Sequence, residues 1–456
     1  MSAPRTHLPS LLPRRPALLA AVAAGLGLWL AGPAQAQSLL ELYQAARDYD
    51  ASYLSLRAQA ESAEHRAAQA RALLRPNLGL TASAARSETD PPRGGNFPND
   101  SRQLALSGRQ PLFNRANSVT IEQAERSLEA ARARLQAAEQ ELIVRISQAY
   151  FAVLAAQDTL ATVRTSKAAI SEQLAAAKRN FEVGTATITD TREAQARFDL
   201  ASAQEIAAEN ELRVQRVALD QLVGRPNVEP RPLAVPVTLS ALAPAELSDW
   251  VQRAETGHPN VRQAALALDV AQLEIRKARA GHLPTVDLVG NVGRSRNDYG
   301  AGAPAATQLQ NGTAGSSSVG VQLNMPLFSG FSVQNRVRET VALEEAARND
   351  LDAARRTVAQ ATRQAYFGVQ SGQAQVRALE AAEASSQLAL EATQLGYKVG
   401  VRVNLDVLNA QTQLFTTRRD LAQARYNVVV GSLRLRQAAG VLGADDVAAV
   451  NTLLAR

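Results

Sequence analysis

The chain has 456 residues, a formal net charge of +6, no cysteine and only 4% aromatic residues. Without cysteine there can be no disulfide, thiolate metal site, cysteine nucleophile or acylated N-terminal cysteine anchor. The basic residues are scattered among acids at helical spacing and not clustered with aromatics, which gives nucleic-acid binding no support, and long proline-free runs of Ala, Gln, Arg, Glu and Leu point to extended helices with some β.

Arg5, Arg14 and Arg15 precede an apolar run at 17–31, followed by Ala34-Gln35-Ala36. This is the order of a cleaved signal peptide over 1–36, and the run is shorter than the roughly 20 residues that span a bilayer. Loss of the three arginines brings the charge of the remainder from +6 to about +3, a mild excess suited to a solvated helical face. No later stretch reaches the roughly 18 consecutive apolar residues of a membrane helix, so the mature chain is expected in the periplasm or across a membrane as β-strands.

The chain is written twice. Tyr150-Phe151 recurs as Tyr366-Phe367, Val183-Gly184 as Val399-Gly400, Asp190 as Asp406 and Gln195 as Gln411, all at an offset of 216. Pro76 matches Pro284 at 208 and Pro111-Leu112-Phe113 matches Pro326-Leu327-Phe328 at 215, so the second copy has gained length between these landmarks. The expected organisation is a first repeat over 37–224, a Pro-rich linker over 225–244, a second repeat over 245–440 and a C-terminal segment over 441–456.

Each repeat should open with one helix, at 39–75 and 245–282, ended where Pro76 and Pro284 disfavour helix in the residue before them. Alternation then replaces helical spacing. Leu78, Leu80, Ala82 and Ala84 alternate with polar or small residues, as do Leu104 and Leu106, and the second copy repeats this with Val286, Leu288, Val292, Val319, Val321, Leu323 and Met325. Each pair of strands should form a hairpin with one apolar face, separated by polar loops at 88–101 and 295–317. Either a soluble antiparallel sheet or the wall of an outer-membrane barrel has this pattern.

From Phe113 to Val183, and again from Phe331 to Val399, the helical pattern runs for about 70 residues, or roughly 105 Å. Ile121, Leu128, Leu135 and Leu142 recur at steps of seven, with Ala124, Ala131 and Ala138 between them, giving one apolar seam in heptad register. Gly184 and Gly400 supply the left-handed turn residues that end these helices. Return helices at 190–223 and 406–439 are half as long, so an opening and a return helix stacked end to end match one long helix. Four helices per chain then stand at every level, below four strands.

Four strands with open edges cannot stand in hydrocarbon, so closure requires further copies. Two copies reach the eight strands of the smallest natural barrels and three reach twelve. Twelve helices about 9 Å apart would enclose a bore of roughly 25 Å.

With the doubled Val183-Gly184-Thr185, Ile188-Thr189-Asp190 and Gln195-Ala196-Arg197, and with Tyr397-Lys398-Val399-Gly400 and the run from Asn404 to Ala410, the chain resembles the TolC-type outer-membrane efflux proteins over nearly its whole mature length. The resemblance implies a mainly α subunit with a transmembrane β-barrel, assembled as a homotrimer in the outer membrane and reaching into the periplasm. It implies partnership with a periplasmic adaptor and an inner-membrane pump or ABC-type transporter, contact with outer-membrane lipid, and export by efflux or type I secretion. It also implies a gate at the periplasmic tips. Asp190 would bond Arg402 and Tyr397 as a latch, and Asp406 would line a constriction where Asn409 replaces the second acid of some relatives.

The residues alone also let Asp190 act as a helix cap with Glu193, and let Asp406 serve as an N-terminal helix acid. A soluble periplasmic coiled-coil adaptor or scaffold would explain the helices equally, though not the paired apolar hairpins. An enzyme has little support. His65, His258 and His282 stand alone, and no metalloprotease, nucleophile-elbow or phosphate-loop motif occurs. No catalytic residue, metal or cofactor is expected.

Overall fold

The computed structural model describes residues 36–90, 96–234 and 242–455. The signal-peptide reading therefore lies outside the described residues except at Ala36, as does the linker at 235–241.

The opening segment is two helices rather than one: α1 (Leu39–Tyr49) and α2 (Ala51–Arg71), followed by a 3-10 turn. Asp50 between them is extended, and its Oδ1 accepts from the Tyr53 amide at 2.7 Å. A side chain that bonds the backbone three residues on caps a new helix and so ends the previous one. The second opening segment breaks at the equivalent place. α5 (Leu247–Gly257) stops at His258, which is extended because Pro259 follows, and His258 Nδ1 caps α6 (Pro259–Ala280) by accepting from the Asn260 amide at 3.0 Å.

Strands β1 (Asn77–Thr89) and β2 (Phe97–Phe113) lie between α2 and α3 (Arg115–Glu182). β3 (Thr285–Tyr299), the single turn α7 (Ala305–Gln308) and β4 (Gly312–Asn324) lie between α6 and α8 (Ser332–Lys398). All four strands join in one antiparallel sheet in the order β1-β2-β3-β4, the two hairpins meeting through β2 and β3. The strands run further into the segments expected as loops, to Thr89, from Phe97, to Tyr299 and from Gly312. Backbone pairing continues there after the apolar alternation has stopped.

The outer edges of β1 and β4 are unpaired within the chain. One face carries Leu80, Leu106, Val292 and Val321, all exposed, and the other carries polar and small residues such as Ser107, Asn291 and Ser318. On that polar face Arg109 donates to Asp287 at 2.6 Å, near the end of the sheet that meets the helices.

α3 and α8 have 68 and 67 residues, about 100 Å each. Near the sheet α2, α3, α6 and α8 stand side by side; farther away α4 (Ile188–Val223) and α9 (Asn404–Ala438) take over, in the order α4, α3, α9, α8. No helix among the described residues is long and apolar enough to cross a membrane.

The main core lies halfway down α3, where Tyr150 and Phe151 meet Leu39, Leu42, Leu433 and the C-terminal helix α10 (Ala444–Asn451) through Val447 and Val450. Tyr150 donates to the carbonyls of Arg231 and Gln37 at 2.9 and 3.2 Å, so the segment after α4 and the stretch just before α1 are tied to one hydroxyl. Phe151 lies 5.7 Å from the ring of Tyr426, whose hydroxyl donates to Asp158 at 2.6 Å. Burial, together with this carboxylate acceptor, pushes the Tyr426 phenol well above its ordinary range.

Candidate functional site: the helix tips

The two tips are the turns farthest from the sheet, where α3 passes into α4 and α8 into α9. At the first, Gly184 adopts φ +78° and the amides of Thr185 and Ala186 both donate to the Asn180 carbonyl, at 2.8 and 3.1 Å. At the second, Gly400 adopts φ +80° and the amides of Val401 and Arg402 donate to the Gly396 carbonyl at 2.9 and 3.2 Å. Both turns need the left-handed conformation that glycine reaches without a Cβ clash.

α4 starts with a reciprocal cap. The Thr187 amide donates to Asp190 Oδ2 at 2.9 Å, and the Asp190 amide donates to Thr187 Oγ1 at 3.2 Å. The box expected from Asp190 to Glu193 thus forms one turn earlier, because Thr187 holds the cap position and Asp190 is the third helical residue.

At the second tip valine replaces the threonine. Val403 has no hydroxyl to offer the Asp406 amide, so only the carboxylate half of the box remains, at 3.5 Å. Asp406 also meets Arg402 at 3.6 Å in an exposed ion pair.

The predicted latch residues therefore have separate partners within one chain. Asp190 is held by Thr187, Arg402 pairs with Asp406, and the Tyr397 hydroxyl accepts from Asn180 Nδ2 at 3.1 Å. Asp190 Oδ1 accepts no hydrogen bond from the described residues. Asn409 is exposed and accepts from Arg197 at 3.1 Å.

What joins the tips is mostly apolar. Leu408 of α9 is buried against Ile170, Leu174, Ala177, Ala194 and Ala201 of α3 and α4. Beside this plug, Gln173 donates to Asn404, a buried amide whose own Nδ2 has no partner.

The sequence reading missed Asn180, Gln173 and Gly396, and it placed Arg197 in the tip motif without its partner Asn409. A Cβ at Gly396 would lie 2.8 Å from Arg402 Cγ, so this glycine makes room for the arginine to fold back. The signal was available in the offset of 216, which aligns Gly396 with Asn180 and Arg402 with Ala186 and so marks where the copies diverge. Among the described residues no cluster of His, Asp or Glu could hold a metal ion.

The family model described as outer membrane efflux protein matches residues 42–225 and 250–441. The chain belongs to this family. It is 35% identical to the outer membrane protein TolC of Vibrio cholerae, over 94% of this chain and 96% of that relative. It is 32% identical to the alkaline protease secretion protein AprF of Pseudomonas aeruginosa, over 92% of this chain and 88% of that relative. Among solved structures, the outer membrane protein VceC of Vibrio cholerae superposes with a TM-score of 0.74 at 22% identity, covering 88% of this chain and 96% of that one.

These likenesses, with the fold, make the protein an outer-membrane channel for efflux or type I secretion, its helices extending into the periplasm. The family is one of channels, and the soluble scaffold is set aside.

Proposed function

We propose that three copies close into one duct, with twelve strands in the outer membrane above a twelve-helix tube. The observation that supports it is a mismatch between the two halves. α3 has a return helix on each side, α4 and α9, whereas α8 lies along α9. Phe151 is buried against Tyr426, yet its counterpart Phe367 is 54% exposed. On α4, Ile206, Val214 and Val217 are exposed as well.

If the next subunit repeats the internal arrangement, its α4 covers α8 as α9 covers α3. Its β1 then completes the open edge of β4. The same operation places Asn210, the counterpart of Tyr426, against the neighbour's Phe367.

The natural absence of cysteine makes the test clean. Asn210→Cys with Phe367→Cys should give a covalent trimer on oxidation, and each single variant should remain a monomer in denaturing gels. A double variant that yields only intramolecular product would remove the arrangement.

The tips then close the far end. Asp190 keeps one oxygen unbonded and Arg402 is held only by an exposed pair, so a modest swing of the second tip of the same or the next subunit would let them meet, with Tyr397 beside them. Such a pair is worth about 0–1 kcal/mol, which holds a gate only when repeated around a ring and releases it to a docking partner. Three copies of Asp406 at the axis would favour cations.

Asp190→Ala and Arg402→Ala should each raise single-channel conductance in planar bilayers; no change in either would dismiss the latch. A duct has no energy source of its own, so a periplasmic adaptor and an inner-membrane pump or ABC-type transporter complete the machine. Exposed Val183, Val399, Val401 and Val403 at the tips offer the adaptor an apolar landing.

A further inference from the structure

Two arginines on the apolar face of the sheet meet no carboxylate. On this face Leu104 stands opposite Arg294 and Arg102 opposite Arg296, just beyond the row formed by Leu80, Leu106 and Val292. Arg296 is satisfied by Asp298 at 3.0 Å and Arg86 by Asp100 at 3.7 Å. Arg102 and Arg294 are exposed, and among the described residues neither has an ion-pair or hydrogen-bond partner for its side chain.

Asp298 already neutralises Arg296, so the charge left without a counter-ion on this stretch of the face is that of Arg102 and Arg294. The space beside them is open. Gly315 stands opposite Arg294 on β4, and a Cβ there would touch nothing within 4 Å. Below, Leu80, Leu104, Leu106 and Val292 wall a shallow hollow with Arg294 at its rim.

The level of these arginines in the sheet decides what the anion is. On β2 the outward residues from Phe113, past the bulge, to Leu104, interrupted by Gln110 and Gly108, span about 27 Å along the strand, or roughly 20 Å along the membrane normal at the usual strand tilt. Arg102 lies one step beyond this apolar band, at the end of the sheet away from the periplasmic helices. That is headgroup depth in the outer leaflet. A guanidinium there binds phosphate oxygens in a bidentate fork, and the hollow beneath it suits an acyl chain.

We propose that Arg102 and Arg294, with Arg296 beside them, form a binding site for the phosphate of an outer-leaflet lipid whose acyl chain lies in the hollow below. The site rests on the barrel reading, since only a lipid-facing sheet presents these residues to a lipid. It lies at the opposite end of the molecule from the tips and has no part in the gate.

The test is a titration of the full-length oligomer in detergent with diphosphorylated lipid A, read by native mass spectrometry, alongside insertion into planar bilayers. Arg102→Gln with Arg294→Gln should weaken binding by tenfold or more, the cost of one charge-assisted contact or greater. The wild type should bind dephosphorylated lipid A equally weakly, and Arg102→Lys with Arg294→Lys should retain part of the affinity. Both variants should still insert and conduct.

Binding by the Gln pair within twofold of wild type, in channels that still insert, would overturn the site and leave the barrel standing. Full displacement of lipid A by inorganic phosphate would overturn the lipid as its ligand. Failure of the wild type itself to insert would take the barrel reading down, and this site with it.

Discussion

The two tips share a backbone and differ in what holds it. Both turn on a glycine at φ near +80° and both place an aspartate third in the returning helix. The first closes its cap with Thr187, whereas the second has Val403, a half-made box and an exposed pair to Arg402. Duplication supplied two equivalent turns, and a few substitutions left one with a complete cap and one with half of it. The gate proposed above would use such a difference, with one side that yields against one that stays.

The strongest challenge to this contrast is the apolar plug between the tips. Leu408→Ala should cost about 2–5 kcal/mol locally and loosen both tips together, seen as faster amide exchange through 170–200 and 400–415. Exchange accelerated only at the second tip would show that the plug does not couple them.

Next in size is Asp190→Ala, which removes the carboxylate from a complete box and should cost about 1–2 kcal/mol at the first tip. Asp406→Ala should cost less, since its contacts are long. Equal protease sensitivity of the two variants would erase the distinction.

In the other direction, Val403→Thr supplies the missing hydroxyl and should slow exchange at the Asp406 amide, a gain of about 0.5–1 kcal/mol.

The smallest effect belongs to Gly396→Ala. Its new Cβ displaces Arg402, so the pair with Asp406 is lost for about 0–1 kcal/mol. Channel opening should become less sensitive to salt, and an unchanged salt response would show the pair to be idle.

Much of the fold was legible because a duplicated pattern repeats its own punctuation. Pro76 and Pro284 marked the passage to strand, and Gly184 and Gly400 the reversal of the long helices. The break at His258 was missed in the expectation of one helix over 245–282, although Pro259 directly after it carries the signal. The break at Asp50 was not legible, because an aspartate inside a helical pattern reads as a surface charge until its carboxylate is seen on the Tyr53 amide. The far ends of the strands were hidden for a different reason: there the backbone ladder carries the pairing and side-chain alternation has lapsed.

The tip contacts were the least legible. Asn180 reaches Tyr397 across 217 residues and Arg197 reaches Asn409 across 212, and no local periodicity encodes contacts made between copies. The offset between copies shows which residues differ, and only the folded chain shows what each one touches.

The open edges of β1 and β4 have one more consequence. If closure takes three copies, as proposed above, a subunit that has lost its companions encloses no passage, since its four strands leave two edges open. On that reading an incomplete assembly makes no perforation. Scarce copies would then cost the cell an exit and leave its envelope sealed.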